Sequence, residues 1–276
     1  MIITNVKFNH LVNPLGYCLE HPTVSYVVEE AKGKHQVWAR VEVSLTEDFS
    51  EVLYDTEERE DIKSTGFEIP LELLPKTRYF VRVTVMDDAG DSATSNPVWF
   101  ETAKSIGSEG AAWKAKWITP DADKSMQAAV YQDIHLRGPV CSARAYGVGL
   151  GLYELYVNGE KQGEECLLPG FCDYDTWIGY QTYELGLKEG TNRIEMLLGD
   201  GWYKGWYGLR KTRENYGDAL AAILEIEVVY EDGSQEIFGT DSSWKARRSQ
   251  IVESGDRKST RLNSSHNVAS RMPSSA

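Results

Sequence analysis

The sequence predicts an all-β protein built from two tandem antiparallel β-sandwiches. Short segments alternate apolar and polar residues with a period of two, and turns containing glycine, asparagine or aspartate separate them. No long stretch has the apolar spacing of an amphipathic helix. A chain of 276 residues is long enough for two domains that each bury a core. We expect one sandwich over residues 1–103, a linker over 104–112 and a second sandwich over 113–254.

The first domain contains two clearly alternating segments, VWARVEVSL at residues 37–45 and RYFVRVTV at residues 78–85. DDAGD then turns the chain, and PVWFET supplies a last strand that includes Phe100. This order of strands and turns resembles a fibronectin type III-like domain. The side chains expected to face the core are Val37, Ala39, Val41, Val43 and Leu45 in the first segment, and Tyr79, Val81, Val83 and Val85 in the second.

The predicted linker, KSIGSEGAA, is small and polar, and WKAKWI follows it. Trp113 and Trp117 in that motif open the second domain. We expect both indoles to pack at the domain junction, with a ligand contact as the alternative.

In the second domain, CSARAYGVGLGLYELYVNGEKQG is predicted to form a long strand pair around Asn158-Gly159. This is the strongest short-range hairpin signal, since both residues tolerate the positive φ of a tight turn. TNRIEMLLG and LAAILEIEVVY are further alternating strands, and Asp232-Gly233 turns the second of them into QEIFGT. Three alternating glycines before the hairpin lack the spacing of a nucleotide-binding motif, and we expect them to admit another backbone: Gly147, Gly149 and Gly151.

Two loops carry the candidate site. GDGWYKGWYG, residues 199–208, sets four large rings among glycines, which predicts a loop whose rings face a partner. An aromatic face can stack on the C–H face of a sugar while a carboxylate accepts from its hydroxyls. PGFCDYDTW, residues 169–177, is a second acidic and aromatic loop. The candidate carbohydrate-binding residues are Asp200, Trp202, Tyr203, Trp206, Tyr207, Asp173, Tyr174 and Trp177.

Other roles remain open for these residues. The rings at Trp202 and Tyr203 could instead pack against another domain or within their own core. Asp173 is expected to stabilise a turn, and Lys204 and Arg210 are expected to be solvated, with substrate contact as the alternative.

Composition excludes several classes of function. The net charge of −13 argues against nucleic acid and anionic membrane surfaces as partners. The four cysteines have no C-x-x-C spacing and are expected to be free thiols, and the histidines form no metal-ligand motif. We therefore expect neither a metal nor a cofactor. The first residues lack the apolar run of a signal peptide, which predicts a cytoplasmic protein if Met1 is the true start.

Residues 255–276 differ in composition from the rest of the chain and are predicted to be a non-native, disordered tail. Reverse translation of Asp256 to His266 matches, codon for codon, the start of a common short-read sequencing adapter. Such a segment has no evolved fold. We expect that the gene continues beyond Ser254 and that this chain is the front of a longer protein.

The motifs GLYELYVNGEKQG, LLPGFCDYDTWIGYQTYEL and LKEGTNRIEMLLGDGWYKGWYG together resemble the amino-terminal β-sandwich domain of bacterial α-L-rhamnosidases. The preceding domain and WKAKWI also fit the start of that family, although Trp206 departs from the polar residue expected there. SSWKARRSQIVESG resembles the point at which the family continues towards a helical catalytic barrel. The hairpin alone would indicate only a jelly-roll-like sandwich.

The resemblance implies a parent enzyme that removes terminal α-L-rhamnose from glycosides with inversion. This chemistry uses two carboxylates about 6.5 to 9.5 Å apart. In the family they lie in the helical barrel, so no catalytic residue is assigned here and the chain is expected to be inactive alone. The expected partners are rhamnose-containing glycosides and the catalytic domain. A free-standing carbohydrate-binding module and a purely structural docking domain are the alternatives.

Overall fold

A computed structural model of the protein describes residues 1–106, 112–120, 127–206 and 212–251. It divides into two compact units, Met1–Ala112 and Trp113–Ala276. The described residues form 18 strands and one helix of four residues, which confirms the predicted all-β class of tandem sandwiches. The tail at 255–276, most of the expected linker, Tyr207 and Arg210 lie outside the described residues.

The first unit pairs a three-stranded sheet with a larger one. The small sheet has the order β1-β3-β6, and the large one β2-β9-β7-β4-β5 with β8 also on β7. One pair, β2 with β9, is parallel, which the antiparallel prediction missed. The strands are β1 Ile2–Phe8, β2 Leu15–Tyr17, β3 Thr23–Glu29, β4 Gln36–Ser44, β5 Val52–Asp55, β6 Phe67–Glu68, β7 Arg78–Asp87, β8 Ser92–Thr94 and β9 Val98–Thr102.

The core of the first unit lies between these two sheets. Phe8 and Val24 come from the small sheet, and Val41, Val83 and Phe100 from the large one. All four predicted core residues of the RYFVRVTV segment are buried. In β4 the alternation fails at both ends, because the register shifts between Gln36 and Trp38 and the chain leaves the sheet after Ser44. Two residues predicted to face the core are therefore exposed, Val37 at 40% and Leu45 at 37%.

The second unit is a sandwich of a five-stranded and a four-stranded sheet. Their orders are β13-β12-β15-β10-β18 and β14-β11-β16-β17. The elements are β10 Ala128–Leu136, β11 Val140–Leu150, β12 Leu152–Val157, β13 Glu160–Lys161, β14 Gln181–Glu184, β15 Gly190–Gly199, α1 Gly201–Lys204, β16 Ala221–Tyr230, β17 Gln235–Gly239 and β18 Lys245–Arg248.

The core of the second unit draws on both sheets, with Ile194 and Met196 from β15 and Leu224 and Ile226 from β16. The predicted alternation is confirmed in β15. In β16 the even-numbered residues from Ala222 to Tyr230 join the core as predicted, but the first six residues of the strand are buried on both faces. The Asn158-Gly159 turn also forms as predicted, with φ values of 52° and 86°. It joins β12 to β13, which is only two residues long, so the hairpin is shorter than expected.

Gly151 marks the corner at which the chain changes sheets. β11 before it belongs to the four-stranded sheet and β12 after it to the five-stranded sheet, whereas the sequence predicted one long strand pair. Gly151 has a φ of +108°, and a Cβ there would lie 2.2 Å from the carbonyl oxygen of Gly199. Only glycine fits both the conformation and the approach of that second backbone. The expected reason for glycine is therefore observed at this position.

Gly147 and Gly149 serve a different purpose from the predicted one. A Cβ at Gly149 would lie 3.1 Å from Cβ of Tyr153, and one at Gly147 would lie 2.9 Å from a methyl of Leu224. The missing side chains therefore make room for the ring of Tyr153 and for Leu224, and not for another backbone.

Candidate functional site

The two aromatic loops predicted from the sequence lie against each other in the second unit. The rings of Phe171 and Trp202 meet edge to face with centroids 6.2 Å apart, and those of Tyr174 and Tyr203 meet at 5.2 Å. Tyr216 joins them, 5.1 Å from Tyr174 and stacked on Tyr203 at 6.4 Å. Edge-to-face and offset pairs at such spacings are attractive. We call these five rings the aromatic cluster.

A single helical turn positions two rings of the cluster. The stretch predicted as a loop contains α1, which carries Trp202 and Tyr203, and both side chains are half-buried. Gly201 opens the turn with a φ of +51°, and a Cβ there would lie 2.7 Å from Cγ of Leu152. A Cβ at Gly217 would lie 2.3 Å from the hydroxyl oxygen of Tyr203. Glycine at 201 therefore lets the turn lie close to β12, and glycine at 217 leaves room for the Tyr203 hydroxyl.

Asp200 lies inside the unit and not at a surface where a sugar could reach it. The residue is 2% exposed. Oδ1 accepts a hydrogen bond from Gln127 Nε2 at 2.8 Å, and Oδ2 accepts one from Arg213 at 3.1 Å. Charge-assisted bonds of this kind are stronger than neutral ones. Asp200 thus links the start of α1 to Gln127, which directly precedes β10, and to Arg213, which gives it a positioning role.

Lys204 is also buried, at 2% exposure, contrary to the expectation of a solvated charge. Its Nζ lies 3.8 Å from Oδ1 of Asp200, which is four residues earlier at the N-cap of α1. Its backbone oxygen accepts from the backbone N–H of Glu214 at 2.9 Å. A buried ammonium needs a nearby anion, and Asp200 supplies it. Lys204 therefore belongs to the support of the loop and is not available to a substrate.

Asp173 stabilises its own turn. Oδ2 accepts from the Thr176 hydroxyl at 2.8 Å, and its backbone oxygen accepts from the backbone N–H groups of Thr176 and Trp177 at 2.9 and 3.0 Å. This is the turn role expected of aspartate at such a position. The turn leaves Trp177 60% exposed.

Trp206 is at the edge of the site, 36% exposed, with the guanidinium of Arg213 5.4 Å from its ring. Neither Trp202 nor Trp206 is part of the sandwich core. Two members of the cluster, Phe171 and Tyr216, were missed from the sequence. Phe171 lies within the second predicted loop, and nothing in the sequence separates it from its neighbours there. Tyr216 lies beyond the first predicted loop, and it meets Tyr174 and Tyr203 only because the chain folds back.

Tyr174 also contacts the buried thiol of Cys172. Burial raises the pKa of the Cys172 thiol, and burial raises the pKa of Tyr174 to about 12. Both groups are therefore neutral near pH 7, which suits an apolar ring cluster. All four cysteines are free thiols, as predicted.

Across the described parts of the chain, no group of three or more histidine, cysteine or acidic residues could hold a metal ion. Within the same residues, the single helix is far too short to cross a membrane.

Two family descriptions match the chain. Residues 3–105 match the Rha78A-like, N-terminal immunoglobulin domain, and residues 138–258 match the α-L-rhamnosidase N-terminal domain. A curated α-L-rhamnosidase of Formosa agariphila is 28% identical over 285 residues, which cover 90% of this chain and 30% of that protein.

Solved structures agree with these matches. The α-L-rhamnosidase from Dictyoglumus thermophilum superposes with a TM-score of 0.76 at 28% identity, over 91% of this chain and 30% of that one. The enzyme from Aspergillus terreus does so with a TM-score of 0.80 at 26% identity, over 92% of this chain and 30% of that one. The chain thus spans less than a third of the length of these relatives. The chain therefore contains a Rha78A-like, N-terminal immunoglobulin domain over residues 3–105 and an α-L-rhamnosidase N-terminal domain over residues 138–258.

Proposed function

We propose that residues 1–103 and 113–254 are scaffold domains of an enzyme that releases terminal α-L-rhamnose from glycosides with inversion. In that enzyme the aromatic cluster, with Trp177 and Trp206 beside it in sequence, forms one wall of the substrate cleft. The observation that carries the proposal is the joining of two loops into one set of rings that stays outside the sandwich core.

The support beneath the rings favours a contact surface. Asp200, Gln127 and Arg213 hold the loop from below, while Phe171 is 52% exposed and Trp177 60% exposed. Exposed apolar groups on a rigid frame are typical of surfaces that meet a partner. The methyl group of rhamnose suits an apolar wall, since contact with aromatic rings buries apolar surface on both partners.

The reaction itself is assigned to the part of the longer enzyme that this chain does not span. Inversion needs an acid and a base held about 6.5 to 9.5 Å apart, with a water between the base and the sugar. We expect no hydrolysis of an aryl rhamnoside by the 276-residue chain. Turnover above a blank without protein would contradict this assignment.

The cleft-wall role is tested in the full-length enzyme with Trp202→Ala. Loss of a stacking ring should raise KM for an aryl rhamnoside about tenfold and change kcat much less. Trp38→Phe, which alters an indole of the first unit, is the matched control and should leave both constants unchanged. An unchanged KM in Trp202→Ala would sink the cleft-wall role.

A stand-alone carbohydrate-binding module is the second candidate, and the partial exposure of Trp206 and Trp177 favours it. Titration of the 276-residue chain with L-rhamnose, followed by tryptophan fluorescence, separates the two. Saturable binding that disappears in Trp202→Ala supports the module.

A cytoplasmic location remains a prediction from the sequence.

A further inference from the structure

A second set of rings lies on the outer face of the four-stranded sheet. Trp113, Trp117 and Tyr180 form the sides of a groove of about 380 Å³, with Val148 and Ile223 as its floor and Lys116 at its edge. The alternation of β11 and β16 sends Ala145 and Leu224 into the sandwich core and Val148 and Ile223 to the opposite face. The groove therefore belongs neither to the core nor to the aromatic cluster.

The segment that carries the two tryptophans is held rigidly on the sheet. The buried carboxylate of Glu225 accepts hydrogen bonds from the backbone N–H groups of Lys114 and Ala115 at 2.5 and 2.9 Å. Lys116 donates its N–H to the Thr240 carbonyl at 2.8 Å, and Ile118 exchanges two backbone bonds of 2.9 Å with Ala222. Rings on such a frame lose little conformational freedom when a ligand binds.

The rings present two walls at right angles. The ring planes of Trp113 and Tyr180 meet at 88°, and their centroids are 5.6 Å apart. The two rings therefore form an edge-to-face pair, in which their planes lie perpendicular to each other. Trp117 is 47% exposed at the rim and open to solvent. Small-molecule sites in proteins have volumes of roughly 300 to 1,000 Å³ and are mostly apolar, with a few polar groups. The groove falls at the lower end of this range.

We propose that this groove binds one pyranose ring of a neutral carbohydrate, stacked on the indole of Trp117. The apolar C–H face of the sugar covers the indole, and Lys116 donates to hydroxyl oxygens on the open side. The net charge of −13 repels anionic sugars from the surface as a whole. The proposal is independent of the cleft-wall role, because no residue of the aromatic cluster lines the groove.

A protein partner fits the groove less well. A stable protein interface buries about 800 Å² on each side. Three aromatic side chains offer about 150 to 250 Å² each when fully exposed, and Trp113 and Tyr180 are already partly covered by each other. The apolar surface in the groove is therefore too small for a stable protein complex but sufficient for one sugar ring.

The test is a titration of the 276-residue chain with L-rhamnose, D-galactose and D-glucose, each to about 50 mM, followed by tryptophan fluorescence and ligand-detected NMR. We expect saturable binding of at least one sugar with a Kd on the order of 1 mM. Trp117→Ala should weaken it at least about tenfold with an unchanged melting temperature, and Lys116→Ala should weaken it about threefold.

The control variants separate this groove from the aromatic cluster. Trp177→Ala removes a more exposed indole that does not line the groove, and Trp202→Ala alters the cluster, so both should keep the affinity. Binding lost in Trp202→Ala and kept in Trp117→Ala would overturn the groove proposal while leaving the cluster intact. No binding of any of the three sugars, tighter binding of D-glucuronate, or a dimer that Trp117→Ala dissociates would overturn it as well.

Discussion

Tyr153 shows at the scale of one residue how the interior of the second sandwich is organised. Its buried hydroxyl lies 2.8 Å from the Gly147 carbonyl oxygen and 2.6 Å from Oε1 of Gln181, and it accepts a hydrogen bond from Tyr183 at 3.0 Å. Burial raises the pKa of Tyr153 well above its ordinary value and raises the pKa of Tyr183 to about 12. The network ties β11, β12 and β14 together.

Tyr153→Phe is expected to lower the free energy of unfolding by about 1 to 3 kcal/mol, because it removes the buried hydroxyl that lies against Gly147 and Gln181 and accepts from Tyr183. Urea unfolding of both proteins at pH 7 measures this. A tyrosine whose pKa is raised by folding stabilises fully below the unfolded value of 10.0 and less as the pH rises above it. The difference between the two proteins should therefore shrink above pH 10. A difference that grows there would contradict the buried network.

At the candidate site, Asp200 is the buried residue whose contacts stabilise the aromatic loop. Asp200→Ala removes the acceptor on which Gln127 and Arg213 converge and the carboxylate beside the buried ammonium of Lys204. We expect a loss of about 2 to 4 kcal/mol in the free energy of unfolding. Asp175→Ala, at an exposed position two residues from Asp173, is the control and should change it by less than about 0.5 kcal/mol. If Asp200→Ala and Asp175→Ala lowered the melting temperature equally, the proposed role of Asp200 in supporting the loop would be wrong.

At the scale of elements, the corner at Gly151 decides that β11 and β12 belong to different sheets. Gly151→Ala must place a methyl 2.2 Å from the Gly199 oxygen in a backbone with a φ of +108°. We expect a loss of at least about 3 kcal/mol, or no folded protein. Gly159→Ala is the matched control, because its φ is +86° and nothing lies within 4 Å of the added methyl. It should cost about 1 kcal/mol, measured by urea unfolding.

The same corner shows what could and could not be predicted from the sequence. Alternation predicted β7, β15 and β16 because one face of each meets the core. Alternation did not predict the bulge that moves the Val37 side chain outward, nor the change of sheet at Gly151, because the bulge and the corner both depend on a neighbouring strand.

The two aromatic loops were predicted as candidate sugar-binding loops. Their pairing was not, because contacts such as Phe171 with Trp202 join residues far apart in the chain.

At the scale of the whole molecule, each compact unit has a core of its own. The cluster around Val41, Val83 and Phe100 contains residues of the first unit alone, and the cluster around Ile194 and Leu224 contains residues of the second alone. A domain of about 100 residues with its own core is usually stable by about 5 to 15 kcal/mol. The two units therefore meet the requirement for folding separately.

Residues 1–112 and residues 113–254, produced as separate chains, are each expected to unfold in a single cooperative transition. Circular dichroism in urea measures both transitions, and calorimetry tests whether each is two-state. Phe100→Ala, placed in the first chain, empties a fully buried ring site and should lower its stability by about 3 to 5 kcal/mol. Trp99→Ala alters the neighbouring side chain, which faces away from the core over the guanidinium of Arg78, and should cost much less. A gradual melt of either chain, or equal costs for the two substitutions, would show that its core is not self-sufficient.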